Sequence, residues 1–218
     1  MSRSPRLLLS QSFYHIMTRG NNRNIVFKYD DDYHYYLDLI KKYKSDHSFD
    51  LYHYTLMSNH THFLIKTKSA LDFATFMKKL NLAYFYYYKQ HYGWIGHFWQ
   101  GRYKSKPVGK DSYFIQAGKY IELNPVRKNI VKKSEDYHFS SFRYYGLGEK
   151  NDLITPDFIY QSLGKNKIER QNSYRKLIID EMVVKSYNRS VWGSASQAKN
   201  EQNKIDYHKT TRRNQGTR

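Results

Sequence analysis

An α+β domain built on one antiparallel sheet is the fold this sequence predicts. Three observations predict it. Segments with two-residue alternation and segments with helical spacing follow one another as strand, helix, strand, strand, helix, strand, helix. The second and third strands are joined by the short turn Ser58-Asn59, and a turn that tight joins antiparallel neighbours. Rings are a large share of the apolar residues, 23 Tyr and 12 Phe, enough to build a core while leaving hydroxyls for hydrogen bonds.

Residues 12–18 (SFYHIMT) alternate as the first strand, and His15 inside it reads as a structural side chain. The turn RGNNR at 19–23 comes next, where Arg19 and Arg23 either contact phosphate or simply solvate the turn. Residues 30–48 read as a helix. Asp30, Asp31 and Asp32 suit the positive end of its dipole, and Tyr36, Leu37, Ile40 and Tyr43 recur at helical spacing. The strand pair lies in 51–67, LYHYTLMSNHTHFLIKT. Alternation puts His60 and His62 on one face, roughly 6–7 Å apart at their bases. That is close enough for both rings to lean onto one cation, on a strand anchored by Phe63-Leu64-Ile65.

Residues 69–92 form the second helix, with Leu71, Phe73, Phe76, Met77, Leu80, Leu82 and Ala83 as its apolar face. Its run YFYYY is read mainly as core. After the loop GWIGHFWQG comes a fourth strand at 102–108, expected to carry Arg102, Lys104 and Lys106 on one face. Residues 66–110, ending at Lys110, hold nine Lys/Arg against the single acid Asp72, a candidate groove for a phosphate backbone. A third helix spans 111–124, with Asp111 as N-cap and Pro125 ending it. Tyr120 and Asn124, four apart, share one of its faces.

This order is the ferredoxin-like βαββαβ pattern, with one further helix that can lie beside the sheet and bring Tyr120 and Asn124 to the histidines. Residues 1–150 are expected to form the catalytic domain, 151–193 a helical extension and 194–218 a basic, disordered tail with six Lys/Arg against two acids.

A net charge of +18 speaks about partners, and nucleic acid leads. An anionic membrane surface ranks lower, because no long basic amphipathic helix stands out. The absence of cysteine excludes disulfides and thiolate metal sites. No apolar run reaches the length of a membrane span, and a cytoplasmic location is expected.

Two imidazoles and one amide oxygen suit a hard divalent cation, Mg²⁺ or Mn²⁺, with Zn²⁺ still open. Tyr120, one turn before Asn124, can then attack a phosphorus atom. Its phenol, with an ordinary pKa of about 10, needs the ion or a cation such as Lys119 to help it ionise.

YHIMTRGNN, LMSNHTHFLI, WQGRYKSKPV and KYIELNPVRKNIV, in this order within residues 12–145, resemble the REP-associated tyrosine transposases. These are single-tyrosine transposases of the HUH (His-hydrophobic-His) endonuclease superfamily. The resemblance implies a metal-dependent single-stranded DNA endonuclease and strand transferase acting beside hairpins of palindromic repeats. It implies His60, His62 and Asn124 as ligands and Tyr120 as the nucleophile of a 5′-phosphotyrosine intermediate, in a monomer or a homodimer. Two departures stand out: Thr61 occupies the usually apolar position between the histidines, and Ser58 a position where proline is common. The alternatives are a non-catalytic protein that binds hairpin DNA or RNA, and a hydrolase that uses water.

Overall fold

The computed structural model describes residues 9–109 and 112–178. Its order is β1 (Phe13–Arg19), α1 (Asp30–Lys44), β2 (Phe49–Met57), β3 (His60–Thr67), α2 (Ala70–Tyr92), β4 (Lys104–Val108), α3 (Ser112–Glu122), α4 (Asn124–Arg127), α5 (Phe158–Ser162) and α6 (Lys167–Ile178). The four strands form one sheet in the order β2-β3-β1-β4, every neighbouring pair antiparallel. This is the ferredoxin-like arrangement the sequence predicts.

Alternation divides each strand between two cores. Tyr14, Ile16, Phe63 and Ile65 face α1 and α2, where Tyr36, Ile40, Phe73, Phe76, Met77, Leu80 and Tyr84 complete an aromatic-rich layer. Leu64 and Val108 face the other way, against Phe114, Ala117, Tyr120 and Ile121 of α3. The YFYYY run is largely core: Tyr84 and Tyr88 are buried and donate to the carbonyls of Val26 and Ile25, while Tyr86 is exposed. Of the three aspartates opening α1, Asp32 is fully buried. Its carboxylate accepts from the backbone N–H of Lys28 and Tyr29 and from the hydroxyls of Tyr87 and Tyr92, tying α1 to α2.

β2 carries a bulge between Leu51 and His53. An extra residue in one strand bends it and re-aims the side chains beside it. Here Tyr52 joins the α3 core and His53 also meets α3. Gly118 of α3 fits over that ring: a Cβ there would lie 2.9 Å from His53 Nε2. The ring is clasped by two carboxylates, Glu122 at 2.9 Å from Nδ1 and Asp157 at 3.2 Å from Nε2. The hydroxyls of Ser141 and Tyr174 also donate to Glu122, so β2, α3 and α6 meet in one buried knot.

Pro125 does not simply end α3. The helix stops at Glu122, and Asn124 opens the short helix α4 with Pro125 in its first turn, where a missing N–H costs nothing. Among the described residues no helix is long and apolar enough to cross a membrane. Lys110, Asp111 and the 194–218 tail lie outside the described residues.

Candidate active site

On the α3 side of the sheet, pairing sets the polar residues in rows. His60 lies opposite Arg19, and His62 opposite Met17, which in turn faces Lys104. His15 lies opposite Leu64 and Lys106. The rings of His60 and His62 are 4.8 Å apart. α3 closes over them because Phe114, Ala117 and Ile121 are apolar on the side it turns to the sheet, and Thr55 of β2 donates to the Ile121 carbonyl at 2.8 Å. This seats the Tyr120 ring 5.8 Å from His62 and 5.6 Å from His15.

Each ligand candidate has one nitrogen already engaged. His60 Nδ1 is 2.5 Å from the Asn59 amide oxygen, so it donates there. His62 Nδ1 is 2.8 Å from His15 Nε2. Asn124 is buried and donates its amide N–H to the Tyr120 carbonyl at 2.9 Å, which directs the amide nitrogen back along the helix. Asn124 lies on the chain between Tyr120, beside His62, and Lys128, whose charge reaches both His60 and His62.

The electrostatics are one-sided. Burial lowers the His60 imidazole to about 3, with Arg19 and Lys128 pushing the same way. Burial, then the neighbouring imidazoles and the same cations, holds His62 well below its ordinary value. Both are neutral at physiological pH, as a metal-binding imidazole must be. Burial raises the Tyr120 phenol, and the Arg127 guanidinium, 5.0 Å from the ring centroid and hydrogen-bonded to the hydroxyl, opposes that rise, as does Arg19. The cations acting most strongly on Tyr120 are thus Arg127 and Arg19, not the Lys119 expected from the sequence. Arg19 Nε is buried with no hydrogen-bond partner among the described residues.

Among the described residues no group of three His, Cys, Asp or Glu has the geometry to hold a metal. The residues fit a divalent cation: two neutral imidazoles each tied at Nδ1 and free to offer Nε2, with neighbouring charge that suits an anionic substrate.

The other expected DNA-contact residues divide between two surfaces. Lys104 and Lys106 are exposed on β4, on the site's own face. Arg102 precedes β4, so strand alternation does not place it with them. It lines instead a cleft of about 570 Å³ with Lys78, Phe85 and Trp99. Arg23 is exposed in the turn after β1, and its carbonyl accepts from the Asn59 amide at 3.3 Å. Sequence reading missed Asn59, Arg127 and the position of His15. The signal for His15 was there, since 15 and 19 share strand parity and Arg19 was already a candidate.

With this geometry in view, comparison places the chain. The model of the family described as "Transposase IS200 like" matches residues 9–124, more than half of the chain. The chain belongs to that family of transposases. Its fold is similar to that of a solved REP-associated tyrosine transposase bound to a REP hairpin, at TM-score 0.57 and 20% identity, covering 72% of this chain and 93% of that one. A weaker likeness, TM-score 0.38 and 17% identity over 63% of this chain and 98% of the other, is to a crystal structure described as a candidate transposase from Deinococcus radiodurans R1. No curated protein matches the chain.

Proposed function

We propose that this transposase cuts single-stranded DNA beside hairpins of palindromic repeats and rejoins it through a covalent 5′-phosphotyrosine at Tyr120, with a divalent cation, Mg²⁺ or Mn²⁺, held by His60, His62 and Asn124. The observation that carries the reading is the Tyr120 ring lying 5.8 Å from His62, within one chain, with Arg127 over the ring and the charge of Arg19 also acting on it. The hairpin substrate is supported by the REP hairpin bound in the structurally similar transposase.

Each side chain has a share of the chemistry. Arg19, with its unpartnered Nε, clamps a non-bridging phosphate oxygen. Arg127 holds the Tyr120 hydroxyl and stabilises the phenolate as the proton leaves. The phenolate oxygen attacks phosphorus and the P–O3′ bond breaks; the proton given up by the Tyr120 hydroxyl passes to solvent, and the departing 3′ oxygen takes one from solvent to leave as a hydroxyl, so the step is proton-neutral. A bound cation supplies Lewis-acid polarisation of the phosphate and stabilises the leaving oxygen. His60, His62 and Asn124 supply its donors. Attack by a 3′ hydroxyl on the ester reverses the step and joins strands. Lys104, Lys106 and the Arg23 turn hold the flanking backbone, with Arg102 and the ring-lined cleft on the far side of β4.

The test is a denaturing gel with hairpin DNA carrying single-stranded flanks. Wild type with Mg²⁺ or Mn²⁺ is expected to give cut DNA bound to protein, and Tyr120→Phe none. Cleavage without adduct would indicate a hydrolase that uses water. Tight hairpin binding with no cleavage under any divalent ion would indicate a binding module.

A further inference from the structure

We propose that His15 is a positioning residue that decides which nitrogen of His62 is offered to the cation. The inference rests on the proposal that His60 and His62 hold a divalent ion. Its own basis is the contact between His15 Nε2 and His62 Nδ1, at 2.8 Å between two fully buried rings.

A hydrogen bond between two neutral imidazoles has one donor and one acceptor. If His62 donates from Nδ1, its Nε2 keeps a lone pair and can bind a cation. If His15 donates from Nε2, the proton of His62 must sit on its own Nε2, and that ligand is lost. Only the first arrangement is compatible with a cation at the site. It requires His15 to carry its proton on Nδ1 and accept at Nε2.

The other ligand candidate is held the same way by a different residue. His60 Nδ1 donates to Asn59 Oδ1 at 2.5 Å, and the Asn59 amide is itself oriented by its N–H donation to the Arg23 carbonyl. Asn59 is the immediate neighbour of His60, but position 61 points to the opposite face of the sheet and cannot serve His62. The partner for His62 therefore has to come from the adjacent strand. His15 on β1, diagonal to His62, is long enough to reach. A ligating imidazole tied at its second nitrogen is a recurrent feature of metal sites, and losing the tie weakens binding about 10- to 100-fold.

The experiment uses the full chain. Long-range nitrogen–proton NMR on histidine-labelled protein reads the His62 tautomer, and calorimetric titration with MnCl₂ reads affinity. The expected result is an Nδ1–H tautomer at His62 in wild type. His15→Phe weakens Mn²⁺ binding about 10- to 100-fold. His15→Gln, which keeps an acceptor near the place of Nε2, restores most of that affinity. Wild-type Mn²⁺ affinity in His15→Phe, with binding lost in His62→Ala, would overturn the role of His15 and leave the imidazole pair intact. Wild-type affinity in His62→Ala would instead overturn the site itself. Three coordinated imidazoles by electron spin-echo spectroscopy would make His15 a direct ligand and also overturn the proposal. If His15→Phe does not fold, an Nε2–H tautomer at His62 in the wild-type protein still refutes it.

Discussion

Two buried histidine clusters lie beneath α3, and they are built on opposite plans. Around His53 the partners are acids. Burial alone would lower its pKa, but hydrogen bonds and charge from Asp157 and Glu122 raise it to about 9, and Ser141 and Tyr174 also donate to Glu122. Around His60 and His62 the nearby charges are cations, and the rings are held neutral. In the first cluster both ring nitrogens are engaged, and it works as a joint. The second leaves ring nitrogens and an arginine N–H with something still to bind. The joint also serves the site, because Glu122 stands midway between Tyr120 and Asn124 and fixes the helix that carries the phenol.

The largest expected effect comes from breaking the joint. Glu122→Ala takes one of its two carboxylate partners from the buried His53, and breaking a buried charge pair costs about 3–5 kcal/mol. Urea denaturation checks this, and a loss well under 1 kcal/mol would mean His53 is not charged in the fold. At the site the expectation reverses. Arg127→Ala removes one guanidinium from an exposed residue, so stability stays near wild type, while adduct formation slows about 10²- to 10³-fold, as when a preorganised charge is removed from a transition state. A rate close to wild type in single-turnover assays would return the activating role to another cation.

The same contrast explains what the sequence made legible. The alternation of His60 and His62, the strand order and the four-residue spacing of Tyr120 and Asn124 are local periodicities, and local periodicity sets which face a side chain takes. The joint was not legible. It depends on a bulge that re-aims His53, on Gly118 admitting the ring, and on acids 69 and 104 residues away from it. His15 is a structural residue by sequence and is buried and hydrogen-bonded in the fold; that its partner is His62 is set by strand pairing, which local periodicity does not show. Lys119 is the cation that adjacency in the sequence suggests for Tyr120, whereas α4 turns the chain so that Arg127 comes to the ring.

A smaller effect separates the clusters by pH in the metal-free protein. His53 has its folded pKa raised to about 9 from 6.5, so its contribution to stability is complete below about 6.5 and is lost as pH rises through 9. His60 has its folded pKa lowered to about 3, so its contribution is complete above about 6.5 and is lost as pH falls towards 3. Urea midpoints across this range are expected to fall on both sides, and Glu122→Ala should flatten only the alkaline limb. His60→Leu gives up the hydrogen bond to Asn59, so a modest stability loss of about 0.5–1.5 kcal/mol is expected. The same variant is expected to lose calorimetric Mn²⁺ binding.

The most direct test of the account is to map the covalent attachment. The chain has 23 tyrosines, and the proposed chemistry belongs to one of them. Trypsin digestion of the DNA–protein adduct, with mass spectrometry of the peptides, is expected to place the nucleotide on the peptide that runs from Tyr120 to Arg127. Attachment to any other tyrosine, or cut DNA with no modified peptide, would contradict it.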